Sequence, residues 1–229
     1  MKKLALLSLL SLTLITSCKE DKKQTETAEE TTTPEKESTI LEKVAMAHGY
    51  ENWKDVSSIK FTFNVDREDS HFERTWMWKT NSNEVTMMTS EDTISYNRKA
   101  VDSTMASTDA GFVNDKYWLL APFQLVWDQN NFTYEHTENV EAPIAKTPMH
   151  KLTIVYDNEG GYTPGDAYDF YFGDDYVVKE WAYRKQNQAE PNTITTWEDY
   201  KTMDGLQIGM MHKRPESDVT LYFTGVEVE

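Results

Sequence analysis

The sequence predicts an α+β domain built on a long antiparallel meander. Two observations carry that prediction. Between residues 58 and 223 apolar side chains repeatedly fall at every second position, with short polar turns between the runs, which is the period of half-buried strands. Helical spacing occurs at two places only, the start of the domain and its middle. The predicted order is one helix, four or five strands, a helical interruption, then five or six more strands, about 10–11 in all.

Before the domain come a leader and a spacer. Lys2 and Lys3 are followed by an apolar run over residues 4–15, broken only by hydroxyl residues. That run is about half of the ~20 residues a membrane-spanning helix needs. A basic start, a short apolar stretch and small residues ahead of a cut site describe a secretory signal peptide, here residues 1–17. Ile15-Thr16-Ser17-Cys18 resembles the lipobox of bacterial lipoproteins. The resemblance implies that Cys18, the only cysteine, is lipidated and becomes the first residue of the mature chain. Multiple acylation at that position would anchor the protein stably to a bilayer, where one acyl chain would not. Lys19-Glu20-Asp21 resembles an export tag of surface-exposed lipoproteins, and it equally suits a solvated linker. Residues 18–38 are rich in Glu, Thr and Lys and hold no aromatic residue, so they form an extended, disordered acidic spacer.

The remaining residues, 39–229, match one domain of ordinary size. The whole chain carries −16. Setting aside Lys2 and Lys3, and the spacer's 4 lysines against 7 acids, leaves the domain at about −15. Such a balance argues against nucleic acid and against lying flat on anionic lipid.

Thr39-Ile40-Leu41-Glu42 is a capping box, and Ile40, Leu41, Val44 and Ala47 form one helical face. Gly49 is placed to end the helix in a left-handed cap, with a short turn over 50–56 behind it. His48, beside that cap, is expected to act as a helix-dipole partner before a metal ligand. Ile59, Phe61, Phe63 and Val65 alternate with polar residues as the first strand; Phe72, Arg74, Trp76 and Trp78 share a face of the second. Val85, Met87 and Met88 mark a third strand, Ile94 and Tyr96 a fourth, and Val101 and Met105 a weak fifth. Asp115 is placed to cap a short helix carrying Trp118, Ala121 and Leu125, and Pro122 predicts one or two turns followed by a bend.

Strands resume at Leu152, Ile154 and Tyr156. The loop over 157–166 is the densest turn signal in the chain. Its Asp157, Glu159 and Asp166 form a weak calcium candidate, set against a plain glycine turn, because the spacing of a calcium loop is incomplete. Tyr168, Phe170 and Phe172 pair across residues 173–175 with Val177, Lys179, Trp181 and Tyr183. Ile194, Thr196 and Glu198 alternate as one further strand, Asp204-Gly205 turns into the next, and Val219, Leu221 and Phe223 close the domain.

This order, with His48-Gly49 before Trp53-Lys54, Trp118-Leu119-Leu120-Ala121-Pro122, and Trp197-Glu198-Asp199-Tyr200-Lys201 leading into Asp204-Gly205-Leu206, resembles the lipoprotein-carrier family with the LolA/LolB-like fold, most closely its uncharacterised lipidated relatives. The resemblance covers most of residues 39–229. It implies a strongly curved antiparallel sheet, a half-barrel, wrapped around the N-terminal helix and the short mid-chain helix, with an apolar cavity between. Relatives use that cavity for acyl chains, for lipids or in envelope-stress sensing. The implied anchor at Cys18 sets this chain apart from the soluble carriers.

Large apolar pockets with few polar groups suit apolar ligands. The candidate contacts are Phe61, Phe63, Trp76 and Trp78 on the first strands, and Trp118, Leu119 and Phe123 as a lid; for most of them simple core packing is the expected role. Arg74 shares the face of Phe72, Trp76 and Trp78, where an unpaired charge is costly. It pairs with an acid, or awaits an anionic headgroup, or that face points outward. No histidine pair has zinc spacing, no Gly-x-Ser-x-Gly elbow is present, and Gly160-Gly161 does not open a phosphate loop. The expectation is therefore a non-catalytic outer-membrane lipoprotein without cofactor, facing the periplasm or the cell surface. It would hold a lipid, acyl chain or lipoprotein in its cavity. The alternative is a structural, protein-interaction or sensor lipoprotein whose cavity is filled by its own side chains.

Overall fold

The computed structural model describes residues 37–215 and 217–229. The leader, Cys18, Lys19-Glu20-Asp21 and the spacer up to residue 36 lie outside the described residues. Among the described residues no helix is long and apolar enough to cross a membrane.

The class is α+β, antiparallel sheet with few helices, as predicted; the strands divide into two antiparallel sheets, and neither closes into a barrel. The seven-stranded sheet has the order β10-β11-β12-β1-β2-β3-β4 and the five-stranded sheet the order β5-β6-β7-β8-β9. The elements are α1 (Ile40–Ala47), β1 (Ser58–Arg67), β2 (Ser70–Lys79), β3 (Glu84–Met88), β4 (Thr93–Asn97) and α2 (Ala106–Trp127). The second half holds β5 (Phe132–Glu141), β6 (Pro148–Tyr156), β7 (Ala167–Phe172), β8 (Val178–Arg184), β9 (Thr193–Thr196), β10 (Glu198–Met203), β11 (Leu206–Lys213) and β12 (Thr220–Val228). The segment predicted as one strand through Ile194, Thr196 and Glu198 divides at Trp197. There the chain leaves the smaller sheet as β9 and enters the larger one as β10, and the Trp197 side chain is buried at the crossing.

The N-terminal helix forms as its capping box requires: Glu42 N donates to Thr39 Oγ1 at 3.2 Å and Thr39 N to Glu42 Oε2 at 2.7 Å. Gly49 ends it at φ +83°, and the next chain is close. A Cβ there would stand 2.0 Å from the carbonyl oxygen of Gly205, itself at φ +81° in the β10–β11 turn. Gln207 N donates to the His48 carbonyl at 2.9 Å, fastening that turn to the helix end. His48 differs from expectation. It is buried, its Nδ1 contacts the Val44 carbonyl at 2.8 Å, and burial pulls its pKa down to about 4, so it is neutral at pH 7 and contributes no charge to the helix dipole.

The mid-chain helix is the largest departure. It begins at Ala106, not Asp115, and runs 22 residues. No fifth strand exists at Val101 and Met105. Asp102 Oδ1 instead accepts the amides of Thr104 and Met105, turning the chain into the helix. The first turns are small and polar, Ala106-Ser107-Thr108-Asp109-Ala110-Gly111, so they carry no apolar stripe to announce them. Tertiary contacts set this boundary over local preference. The bend expected near Pro122 is present at Leu120, whose φ of −125° and ψ of 22° break the helical geometry.

α2 lies between the sheets. Phe112, Leu119, Leu120 and Phe123 join Ile59, Phe61, Trp76, Val85 and Phe223 in one core. Tyr117, Ala121 and Leu125 join Leu41 and Val44 of α1 with Leu152, Phe170 and Trp181 in a second. A helix with a partner on both sides needs apolar residues around most of its circumference, and Leu119 to Leu125 is buried throughout. β7, central in the smaller sheet, is buried along its whole length. β5 was missed from sequence altogether: it is an edge strand whose residues are mostly exposed, so no apolar alternation marks it.

Candidate functional site

A cleft runs along α2 beneath the loop over 157–166 and has two chambers that share Val113, Tyr117, Tyr162 and Thr163. The first, about 330 Å³, is walled by Trp118 of α2 and by Tyr168, Trp181 and Tyr183 of β7 and β8. These rings hold one another: Trp118 and Trp181 meet edge to face at 4.5 Å, Tyr117 lies 4.7 Å from Tyr168, and Tyr168 stacks on Trp181 at 5.4 Å. Trp181 Nε1 is buried without a hydrogen-bond partner. An unpaired buried donor is costly.

The second chamber, about 340 Å³, is polar and includes Arg98, Lys116, Gln124, Asp128 and Tyr156. Lys116 is buried, and its Nζ donates to the neutral Gln124 Oε1 at 2.7 Å. The ammonium also lies over the rings of Trp78 at 5.5 Å and Trp127 at 5.3 Å. Burial lowers its pKa to about 8, with nearby Arg98 acting the same way, while Asp128 and Asp109 oppose them. Lys116 and Arg98 share this chamber with the carboxylates of Asp128, Asp157 and Glu159.

Tyr162 separates the chambers and is itself half in solvent. Its hydroxyl donates to Asp109 Oδ2 at 2.8 Å, while Asp109 Oδ1 accepts from Arg98 Nε at 2.7 Å and from Tyr96 at 2.9 Å. Burial works to raise the Asp109 pKa, but Arg98 and the two hydroxyls outweigh it and hold the carboxyl below its ordinary value. The loop is thus tied at Tyr162 to an ionised carboxylate on α2.

The predicted ligand contacts separate into two groups. Phe61, Phe63, Trp76, Trp78, Leu119 and Phe123 pack into the core between the larger sheet and α2. Phe61 and Trp76 are 0% exposed. Trp118 alone lines the cleft. Arg74 resolves to the first of its options, an ion pair: Nε lies 2.5 Å and Nη2 2.7 Å from the carboxylate of Asp115. The loop carboxylates do not gather as a calcium site. Asp166 is buried and already accepts from Tyr183 Oη at 2.7 Å and Gln186 N at 2.8 Å. Among the described residues the metal-capable side chains that do converge are His136, Glu138 and His150, which share no residue with the cleft. Lys116, Tyr117 and Tyr162 were not anticipated. A lysine immediately before the aromatic run that opens at Tyr117-Trp118 was the one signal for it, and it is informative only once the helix is known to extend through it.

No protein-family model and no curated protein matches the chain. Among solved structures, a DUF1329 family protein from Desulfovibrio piger is similar with a TM-score of 0.47 at 8% identity, over 84% of this chain and 94% of that one. A putative outer membrane lipoprotein-sorting protein domain from Vibrio parahaemolyticus is similar with a TM-score of 0.43 at 8% identity, over 82% and 93%.

Proposed function

We propose that this protein is a lipid-anchored, non-catalytic envelope module that holds an amphiphile with an anionic headgroup, the apolar part among Trp118, Tyr168 and Trp181 and the headgroup toward Lys116. The observation that carries this reading is the pairing of an aromatic chamber with a chamber holding a buried ammonium, across the shared wall of Val113 and Tyr117. The volumes fall at the small end of ligand sites, which run roughly 300–1,000 Å³. A single acyl chain or a short amphiphile therefore suits the cleft better than a whole lipoprotein. Acylation of Cys18 is the other half of the proposal, and it places the cleft at a membrane, on the periplasmic or the outer face of the outer membrane.

Tryptophan quenching by a brominated fatty acid tests the reading in the full chain carrying Cys18→Ala. Saturable quenching that Trp118→Ala weakens is the expected result; no saturable quenching at any concentration below micelle formation would overturn it. Fractionation tests the anchor, since Cys18→Ala is expected to move the protein from the membrane to the soluble fraction. Protease treatment of intact cells distinguishes the two membrane faces.

One observation favours the rival reading, an interaction or sensor lipoprotein with a self-filled interior. Six of the eight residues singled out as ligand contacts are core residues at 8% exposure or less. Those side chains fill the space that a half-barrel carrier would leave open. Under that reading the quenching experiment finds no uptake.

A further inference from the structure

We propose that His136, Glu138 and His150 form a binding site for a divalent late first-row transition ion, zinc in the first place, at the β5–β6 edge of the smaller sheet. The proposal is independent of the ligand cleft, with which it shares no residue. In sequence the two histidines stand 14 residues apart and match no zinc motif. Strand pairing brings them together. His136 Nε2 lies 3.1 Å from His150 Nδ1, and one donor atom from each of the three side chains falls within 4.8 Å of the others.

The two imidazoles share a hydrogen bond, and an ion could take the place of its proton. His150 Nε2 lies 3.2 Å from Asp174 Oδ1. A carboxylate only accepts, so that nitrogen carries the proton, and Nδ1 presents a lone pair toward His136. This is the carboxylate–histidine relay that fixes the tautomer of metal-ligating imidazoles. Zinc–nitrogen bonds of about 2.0–2.1 Å on a tetrahedral ion place two nitrogens ~3.3 Å apart, within a few tenths of the separation found here. Two imidazoles and a carboxylate suit zinc and its late first-row neighbours, not calcium or magnesium, which prefer all-oxygen sites.

The backbone is shaped for the site as well. The β5–β6 register shifts between Thr137 and Val140, and Asn139 sits at φ +57° in that irregularity. The bulge therefore falls directly beside Glu138, in the kind of place where bulges re-aim side chains. The imidazoles are backed by an aromatic ring: Phe172 stacks on His150 at 5.5 Å and on His136 at 6.2 Å. A concavity of about 230 Å³, bordered by Glu138, Met149, His150 and Asp174, gives an entry path and room for a water as fourth ligand. Bound there, the ion would tie the edge strand β5 to β6.

The test is calorimetric titration of chelator-treated full chain with Zn²⁺, and with Co²⁺ followed by its visible absorption. Cys18→Ala is used as the background, because it removes the only thiol. One equivalent of saturable binding is expected. His136→Ala and His150→Gln should each abolish it, and Asp174→Asn should weaken it about 10- to 100-fold. Unchanged circular dichroism melting of the metal-free variants would show that they fold. Metal binding that survives in both histidine variants would overturn the proposal, as would no one-equivalent binding in the parent.

Discussion

Asp115, in the middle of α2, holds the guanidinium of Arg74 on β2 with two contacts of 2.5 and 2.7 Å, and it also accepts from Trp76 Nε1 at 2.8 Å. The Asp115 side chain is 0% exposed and that of Arg74 22%. An ion pair at this depth registers the helix on the larger sheet. Its net worth is small beside what is lost when one partner is left alone.

Asp115→Ala and Arg74→Ala are each expected to destabilise by about 3–5 kcal/mol. Asp115→Leu combined with Arg74→Met should recover most of that loss, because no charge is left stranded. Urea unfolding of the four proteins checks this; additive losses in the double variant would remove the pair from its registering role.

Gly111 should resist the substitution that helix propensity recommends. Alanine in a helix interior is favoured over glycine by about 1 kcal/mol. A Cβ at Gly111, however, would stand 2.8 Å from Arg74 Nη1, which is not free to move while Asp115 holds it. Gly111→Ala is expected to lower stability, and to raise it in the Arg74→Met, Asp115→Leu background. Gly49→Ala, which meets the backbone of Gly205 at 2.0 Å, should be severe in both.

Lys116 is retained at a cost. Its pKa near 8 lies below the ordinary lysine value of 10.5. Below pH 8 the folded state therefore bears the whole penalty of a buried charge. Between pH 8 and 10.5 the unfolded chain keeps a proton that the folded chain has shed, so stability rises. Lys116→Met should stabilise by about 1–2 kcal/mol at pH 7, the lost Gln124 contact offsetting part of the gain. The advantage should shrink by pH 9.5 in urea unfolding, and the same variant should lose preference for an anionic over a neutral amphiphile.

His48 and His212 should make the fold acid-sensitive. Burial lowers the first to about 4 and the second to about 3 from 6.5. Both are neutral when folded, while the unfolded chain takes up protons below pH 6.5, so stability is full above that pH and falls as pH drops through the window. Each contributes a slope of about 1.4 kcal/mol per pH unit well inside it. His212→Leu, between Trp118 at 5.4 Å and Trp197 at 4.5 Å, should flatten the acid limb by that amount, read from unfolding midpoints at pH 7, 6 and 5.

The sequence by itself determined the elements whose cause is local. The capping box at Thr39 and Glu42, the left-handed Gly49, the alternation of Ile59 to Val65 and the Asp204-Gly205 turn each depend on residues within a few positions of one another. They formed as their spacing dictates. Tertiary structure decided everything that depends on what lies across the chain. The start of α2 is set by burial of Asp109 and Asp115 against Arg98 and Arg74, not by an apolar stripe. The strand through Trp197 divides because one side pairs with β8 and the other with β11. β5 exists because β6 supplies its hydrogen bonds, with little buried side chain to reveal it. Phe61, Phe63, Trp76 and Trp78 of β1 and β2 pack with α2 and become core, which moved the candidate site to Tyr117, Trp118 and Trp181. His136 and His150 are ordinary polar positions until β5 and β6 pair. Period and capping are properties of a segment, whereas a site is a property of distances between segments, and those are set only when the sheets close on α2.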